Sequence, residues 1–104
     1  MDNPRIKLYK ENTNIVKAKQ NALIYYNEPI YLSTRKDKKF VIQNPSNGHY
    51  IHFGNINYKD YLKTNDEKKR KAYLARSSGI RGNWKNNNYS PNNLSRRILW
   101  NAEN

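Results

Sequence analysis

Aromatic side chains decide whether this chain can fold at all. The 104 residues have a mean hydropathy of −1.18, and chains this hydrophilic usually bury too little apolar surface to offset their ordering entropy. Nine Tyr, two Phe and two Trp change that balance, because each ring can bury on the order of 150–250 Å². The chain has no cysteine, which excludes disulfides, thiolate zinc sites and a cysteine nucleophile. We therefore predict a small domain whose core depends on aromatic packing.

Charge is the second constraint. Lys and Arg number 20 against 8 Asp and Glu, so the formal net charge is +12. Such an excess favours polyanionic partners, either nucleic acid or an anionic membrane surface. No apolar run is long enough to span a bilayer, and the N-terminal residues lack the apolar region of a signal peptide. We therefore expect a cytosolic protein without a membrane span.

Strand-like patterns occupy the first half of the chain. Apolar and charged residues alternate within residues 1–21, which predicts an N-terminal arm or edge strand. Residues 22–34 are rich in strand-forming residues but are interrupted by Pro29, so they predict an edge strand or two short strands around a bend. The runs 40–43 and 49–53 are separated by five residues that include Pro and Asn-Gly, which predicts a β-hairpin. Residues 22–104 are expected to form a single small domain.

Helix signals occupy the second half. Residues 64–67 have the pattern of a capping box, so we expect a helix to begin there, to run to about Ser78 and to end at a left-handed Gly79. Ser90 and Pro91 predict another helix start. The predicted fold class is α+β, with a small antiparallel sheet built on the hairpin and two or three short C-terminal helices packed on it. The predicted core residues are Phe40, Ile42, Ile51, Phe53, Tyr58, Tyr61, Leu62, Tyr73, Ile80, Trp84, Leu94, Ile98 and Trp100.

Catalytic and metal-binding patterns are weak. His49 and His52 are three residues apart in the predicted hairpin, so on a strand they would point to opposite faces. Asp66 and Glu67 are better explained as residues that favour a helix start than as an acid/base pair. No motif places a histidine base beside a serine, and no glycine-rich phosphate loop is evident. We therefore expect no enzymatic activity, no cofactor and no metal.

Cations and aromatic residues interleave in the last third of the chain. Lys68–Lys71 are four consecutive cations spanning more than one helical turn, and a phosphate backbone would relieve their mutual repulsion. Trp84 lies in a basic loop, where its ring could stack on a base or plug the core. The alternative is that the cations form an ordinary solvated helix face. The predicted nucleic-acid-binding residues are Lys68, Lys69, Arg70, Lys71, Arg76, Arg81, Trp84, Lys85, Arg96 and Arg97.

Several short motifs share their spacing with a known family. They include His52-Phe53-Gly54, Tyr58-Lys59-Asp60-Tyr61, Ile80-Arg81-Gly82-Asn83-Trp84 and Tyr89-Ser90-Pro91-Asn92-Asn93-Leu94-Ser95. Over about residues 39–100, the chain resembles a family of small proteins of large nucleocytoplasmic DNA viruses of the giant-virus type. The resemblance implies a setting and no catalytic residues. That setting is a viral factory in the host cytoplasm, with a very large DNA genome to package.

These observations favour a basic accessory protein that binds nucleic acid, with double-stranded DNA as the first candidate. It would hold phosphates without reading sequence, and it could be packaged in the virion. The alternative is a minor capsid, cement or scaffold protein that acts through protein–protein contacts. A third reading is a module whose basic face binds an acidic host protein. The sequence leaves the choice of DNA or RNA and the oligomeric state open.

Overall fold

Three antiparallel strands and a set of short helices make up the part of the chain that the computed structural model describes, residues 3–102. The elements, in chain order, are α1 (Pro4–Asn12), α2 (Ile15–Tyr26), β1 (Ile30–Leu32), β2 (Lys38–Gln43), β3 (Tyr50–Asn55), α3 (Tyr61–Thr64), α4 (Glu67–Ser78), a 3₁₀ turn (Trp84–Asn86), α5 (Pro91–Leu94) and a π-helical turn (Ser95–Leu99). The α+β prediction is confirmed. Among the described residues, no helix is both long and apolar enough to cross a membrane.

The predicted hairpin forms between β2 and β3, and β1 pairs with the other edge of β2. Ile30 lies opposite Ile42, and Phe40 lies opposite Phe53. These four side chains are fully buried on one face of the sheet, together with residues of α1, α2, α5 and the π-helical turn. The predicted hairpin is confirmed, and its register places the apolar side chains of both strands on the buried face.

The expectation of an arm or edge strand over residues 1–21 is wrong for the described residues, which form α1 and most of α2. The strand expected over residues 22–34 is reduced to Ile30–Leu32, because α2 extends to Tyr26. Asn3 and Asn14 cap the two helices by accepting hydrogen bonds from the backbone N–H groups of Arg5 and Lys17. Residues 1 and 2 lie outside the described part of the chain.

Small buried residues explain why α2 is a helix. Ala18, Asn21 and Ala22 lie at positions i, i+3 and i+4 and form its buried face. The two alanines let the helix approach the π-helical turn closely, and the Asn21 side-chain amide donates to the carbonyl of Ile98. Tertiary packing here overrides the local alternation that suggested a strand.

Most of the predicted core is confirmed. Phe40, Ile42, Phe53, Leu62, Leu94 and Ile98 are buried, and Ile51 and Trp100 pack against them half-buried. Tyr61, Tyr73 and Trp84 are half-buried. Tyr58 and Ile80 were predicted incorrectly, because both lie in exposed connections beside helix ends. The core also contains residues that the prediction omitted, namely Tyr9, Ala18, Ala22, Ile30, Ile56 and Leu99.

Helix α4 differs from the predicted capping box at its start. Thr64 is the last residue of α3, and Asp66 caps α4 by accepting a hydrogen bond from the N–H of Lys69. Helix α4 ends after Ser78 as predicted, but Gly79 has a φ of −87° and is not left-handed. The predicted start at Ser90 and Pro91 is confirmed, since Ser90 accepts from the N–H of Asn93 and Pro91 is the first helical residue.

Candidate nucleic-acid interface

The outward face of α4 is basic. Helical spacing places Lys68, Ala72 and Ala75 along the middle of this face, with further cations on both flanks. Lys69 and Arg76 lie on one flank and Lys71 lies on the other, and all are exposed. The two alanine side chains are short, so the helix backbone lies close to the surface in the middle of this face. A phosphate backbone could therefore approach the helix at Lys68, between Lys71 on one flank and Lys69 and Arg76 on the other.

Arg70 faces the opposite way and is held within the protein. Its guanidinium Nε donates to the carbonyl of Trp100 at 2.9 Å, and Nη2 donates to the carbonyl of Asn101 at 2.8 Å. Its Nη1 pairs with the Glu67 carboxylate at 2.8 Å. Arg70 thus satisfies carbonyls at the end of the π-helical turn and fastens that end of the chain to α4.

Arg96 is also engaged internally. Its Nη1 donates to the carbonyl of Leu74 at 2.8 Å and to the hydroxyl of Ser77, both on α4. The guanidinium lies 5.4 Å from the centre of the Trp84 ring, and the Lys85 ammonium lies 5.6 Å from the same centre. Two cations therefore lie within cation–π distance of one indole ring.

Trp84 is half-buried. Its burial is therefore intermediate between the two roles that the sequence allowed, a core residue and an exposed ring that stacks on a base. Its indole N–H donates to the carbonyl of Ile80 at 2.6 Å, and its own carbonyl accepts from Ser90 and Asn93. These bonds shape the loop from Ile80 to Ser90. Trp84 therefore acts here as a support for the loop that carries Arg81 and Lys85.

Arg97 lies on the other side of the last helical segment. Its Nη1 donates to the side-chain carbonyl of Asn88 at 3.1 Å, and its guanidinium lies 5.9 Å from the centre of the Tyr26 ring. The predicted site therefore divides into two groups. Arg70, Arg96, Arg97 and Trp84 make internal contacts. Six exposed cations, Lys68, Lys69, Lys71, Arg76, Arg81 and Lys85, have no acidic partner within residues 3–102 and are called the basic surface below.

Lys59 adjoins the basic surface and was not predicted. It lines a cavity of about 450 Å³ with Arg76, Tyr73 and Trp100, and the last two rings stack with centres 4.0 Å apart. The neighbouring Asp60 is buried and paired with another lysine, so it does not neutralise Lys59.

Lys39 is that partner. Its ammonium lies 3.0 Å from the Asp60 carboxylate, and both side chains are almost fully buried. Burial raises the pKa of the Asp60 carboxyl above its ordinary value, and it lowers the pKa of the Lys39 ammonium, while each charge partly offsets the effect on the other. The pair lies at one wall of the cavity and connects β2 to the start of α3.

Neither histidine joins a metal-binding group. Among residues 3–102, no cluster of three or more His, Asp or Glu side chains is arranged to hold a metal ion. The His52 ring nitrogen Nδ1 is hydrogen-bonded to the Ser33 hydroxyl at 2.7 Å. Burial lowers the pKa of His52, and the positive charges of Arg35 and Lys38 lower it further. Both effects favour the neutral ring, and Ser33, the residue after β1, orients it.

Comparison with known proteins gives one match. Residues 28–77 are similar to a family of unknown function, DUF5754. The matched segment contains the three strands, α3 and nearly all of α4, including both members of the buried ion pair. No curated protein and no solved structure matches the chain.

Proposed function

We propose that the protein binds nucleic acid through the basic surface, by contacts to phosphates and without reading base sequence. The supporting observation is that six exposed cations without an acidic partner in the described chain lie on one helix face and the loop that follows it. Phosphate contacts fix position on a duplex but carry no sequence information. Lysine and arginine ends on a convex helix face suit that role.

Salt dependence is the signature of this kind of binding. Each phosphate that a cation neutralises releases condensed counterions, so affinity falls as salt concentration rises. If the six cations each neutralise one phosphate, affinity for duplex DNA should fall by about 10³-fold between 50 and 200 mM salt. A protein that uses only two or three of them would show a much shallower decrease.

The test is a salt titration of a fluorescein-labelled duplex, followed by anisotropy. The variant Lys68→Gln/Lys69→Gln/Lys71→Gln removes three cations from the basic surface and should weaken binding and flatten the salt slope by about three units. The matched control is Lys10→Gln/Lys17→Gln/Lys19→Gln, which removes three exposed lysines from α1 and α2. It has the same net charge as the first variant.

The two triple variants separate a located interface from general attraction. If both weaken binding equally, the net charge alone causes the attraction and the basic surface is not the interface. If the wild-type protein shows no binding to duplex or single-stranded DNA at 50 mM salt, the proposed function is wrong.

The biological setting is also a proposal, and it rests on the resemblance of residues 39–100 to giant-virus proteins. In that setting the protein is an accessory factor of a large DNA virus. It acts in the viral factory in the host cytoplasm and is packaged with the genome. Recovery of the protein with the DNA fraction of purified, nuclease-treated particles is the expected result, and its absence from particles would restrict it to the factory.

A second candidate, a minor capsid or cement protein, is favoured by one observation. The outer side of α2 exposes Val16, Leu23 and Ile24, each more than half accessible to solvent. An apolar strip of this kind is more typical of a protein–protein contact than of a phosphate-binding face. Recovery at fixed stoichiometry in the shell fraction, by a protein with no affinity for DNA, would support this function over the first.

A further inference from the structure

The sheet has a second face that most of the protein leaves open. Tyr31, Val41 and His52 lie in one row across β1, β2 and β3, and the pair Gln43–Tyr50 lies two residues further along the same face. At the other end, beyond this row, the face is closed, because Leu99 packs against Gly54 there. The open part is thus bounded by aromatic rings on both edge strands.

This open part forms a groove of about 580 Å³. Val41 is its nearly buried floor, while Tyr31 and Tyr50 are 57% and 63% exposed on either side. Two phenol rings this exposed are unusual on a sheet face that no other element of the described chain covers. Gln43, Thr34 and His52 also line the groove, so its wall offers amide, hydroxyl and imidazole groups.

Cationic residues lie at the end of the groove next to the β1–β2 turn. The turn between β1 and β2 carries Arg35 and Lys36 against the single acid Asp37, and Lys38 is the first residue of β2. Thr34 lines the groove and Arg35 follows it directly in the chain, so the cationic turn begins at the groove wall. Arg5 holds this turn in place, because its guanidinium donates to the carbonyls of Ser33, Arg35, Lys36 and Lys38.

We infer that the groove on the open sheet face is a platform for single-stranded nucleic acid. Bases stack on Tyr31 and Tyr50, and the phosphates at the Tyr31 end of the groove contact the cations of the β1–β2 turn. Aromatic rings along a positively charged groove are the arrangement that binds single strands with little sequence preference. The inference rests on the proposed nucleic-acid binding and assigns the single-stranded form to a second surface.

Charge argues against the two other occupants of such a face. A second copy of this chain would bring its own cationic turn and its net charge of +12 to the groove. An apolar peptide would have to desolvate the amide, hydroxyl and imidazole groups that line the wall. A polyanion that carries flat bases matches both the charge and the rings.

The experiment compares the full chain and its variants on a thymidine oligomer and on a duplex of equal length, by fluorescence anisotropy at fixed salt. Tyr31→Ala and Tyr50→Ala should each weaken binding of the oligomer by about 5- to 150-fold, since that is the range for loss of one base–aromatic stack. Duplex binding should be unchanged. Both side chains are exposed, so neither substitution should affect folding.

Two kinds of control variant make the result specific. Tyr31→Phe and Tyr50→Phe keep a ring and should retain binding of the oligomer. Tyr58→Ala removes an equally exposed tyrosine that lies after the sheet, and it should have no effect on the oligomer.

Each other outcome overturns the inference in a recognisable way. If the wild type binds the oligomer and the alanine variants bind it equally well, the platform is wrong while the proposed function stands. If the wild type binds duplex but not the oligomer, the same conclusion follows. If sedimentation shows a dimer that Tyr31→Ala and Tyr50→Ala dissociate, the groove is a contact between copies of the chain.

Discussion

At the scale of single residues, the buried ion pair carries the largest consequence. The Lys39 ammonium donates to the Asp60 carboxylate at 3.0 Å and to the carbonyl of Tyr58 at 2.8 Å. Asp60 also caps α3 by accepting from the N–H of Lys63, and its backbone N–H donates to the carbonyl of Asn12. Asp60 thus joins β2 and α3 through its carboxylate and α1 through its backbone N–H.

Removing one charge of this pair should be much worse than removing both. Asp60→Asn keeps the side-chain oxygen that caps α3 but leaves a buried ammonium without a counterion, so we expect a loss of about 3–5 kcal/mol in unfolding free energy. Lys39→Met/Asp60→Asn removes the unpaired charge and should recover a large part of that loss. Urea denaturation of the variants, including Lys39→Met alone, measures the coupling.

One outcome of the denaturation experiment would contradict a buried ion pair. If the losses of the two single variants simply add in the double variant, the two charges are solvated in the native state and the pair is not buried. Recovery in the double variant would show that the loss came from an unpaired buried charge and that the pair adds little net stability.

At the scale of elements, the packing of α2 depends on small side chains. Ala18 and Ala22 are completely buried where the helix meets the π-helical turn. Ala22→Leu inserts three carbons into a closed contact and should lower the unfolding free energy by about 1–3 kcal/mol. Leu23→Ala, one residue away on the exposed side, should change it by less than about 0.5 kcal/mol. Thermal or urea unfolding compares the two, and equal effects would mean that α2 does not pack as a helix on this face.

Helix α2 also shows which part of the fold the sequence could not predict. The hairpin was predictable because its signals, two β-branched runs and a loop with Pro and Asn-Gly, are adjacent in the chain. Helix α2 was not, because its buried face is made of Ala and Asn, and Asn21 finds its partner at Ile98. Contacts that distant leave no periodic apolar pattern for a sequence to reveal.

The candidate interface was likewise predicted only in part. A run of cations is visible in any sequence, and the structure does expose Lys68, Lys69 and Lys71 as a helix face. Arg70 and Arg96 were placed in the same group, although their guanidinium groups donate to the distant carbonyls of Trp100 and Leu74. The sequence shows where cationic residues are concentrated, but only the fold shows which guanidinium groups already donate hydrogen bonds within the protein.

At the scale of the whole molecule, the charge should oppose folding. A net charge of +12 sits on a chain with a radius of gyration of 13.2 Å. At 0.01 M salt the screening length is about 30 Å, so every cation repels every other one. At 0.15 M it falls to about 8 Å, and only near neighbours still interact. Compactness therefore makes stability depend on ionic strength.

We expect Tm to rise as sodium chloride increases from 0.01 to 0.15 M, by roughly 4–8 °C for each 1 kcal/mol of repulsion that is screened. Chloride is the right salt, because sulfate also strengthens apolar burial. The triple glutamine variant of α4 should show a smaller rise than the triple variant of α1 and α2. Lys68 and Lys71 face each other at i and i+3 beside Lys69, whereas Lys10 lies on a different helix from Lys17 and Lys19. Equal slopes for the two variants would mean that the repulsion is spread over the whole surface, and a Tm that falls with salt would mean that ion pairs outweigh it.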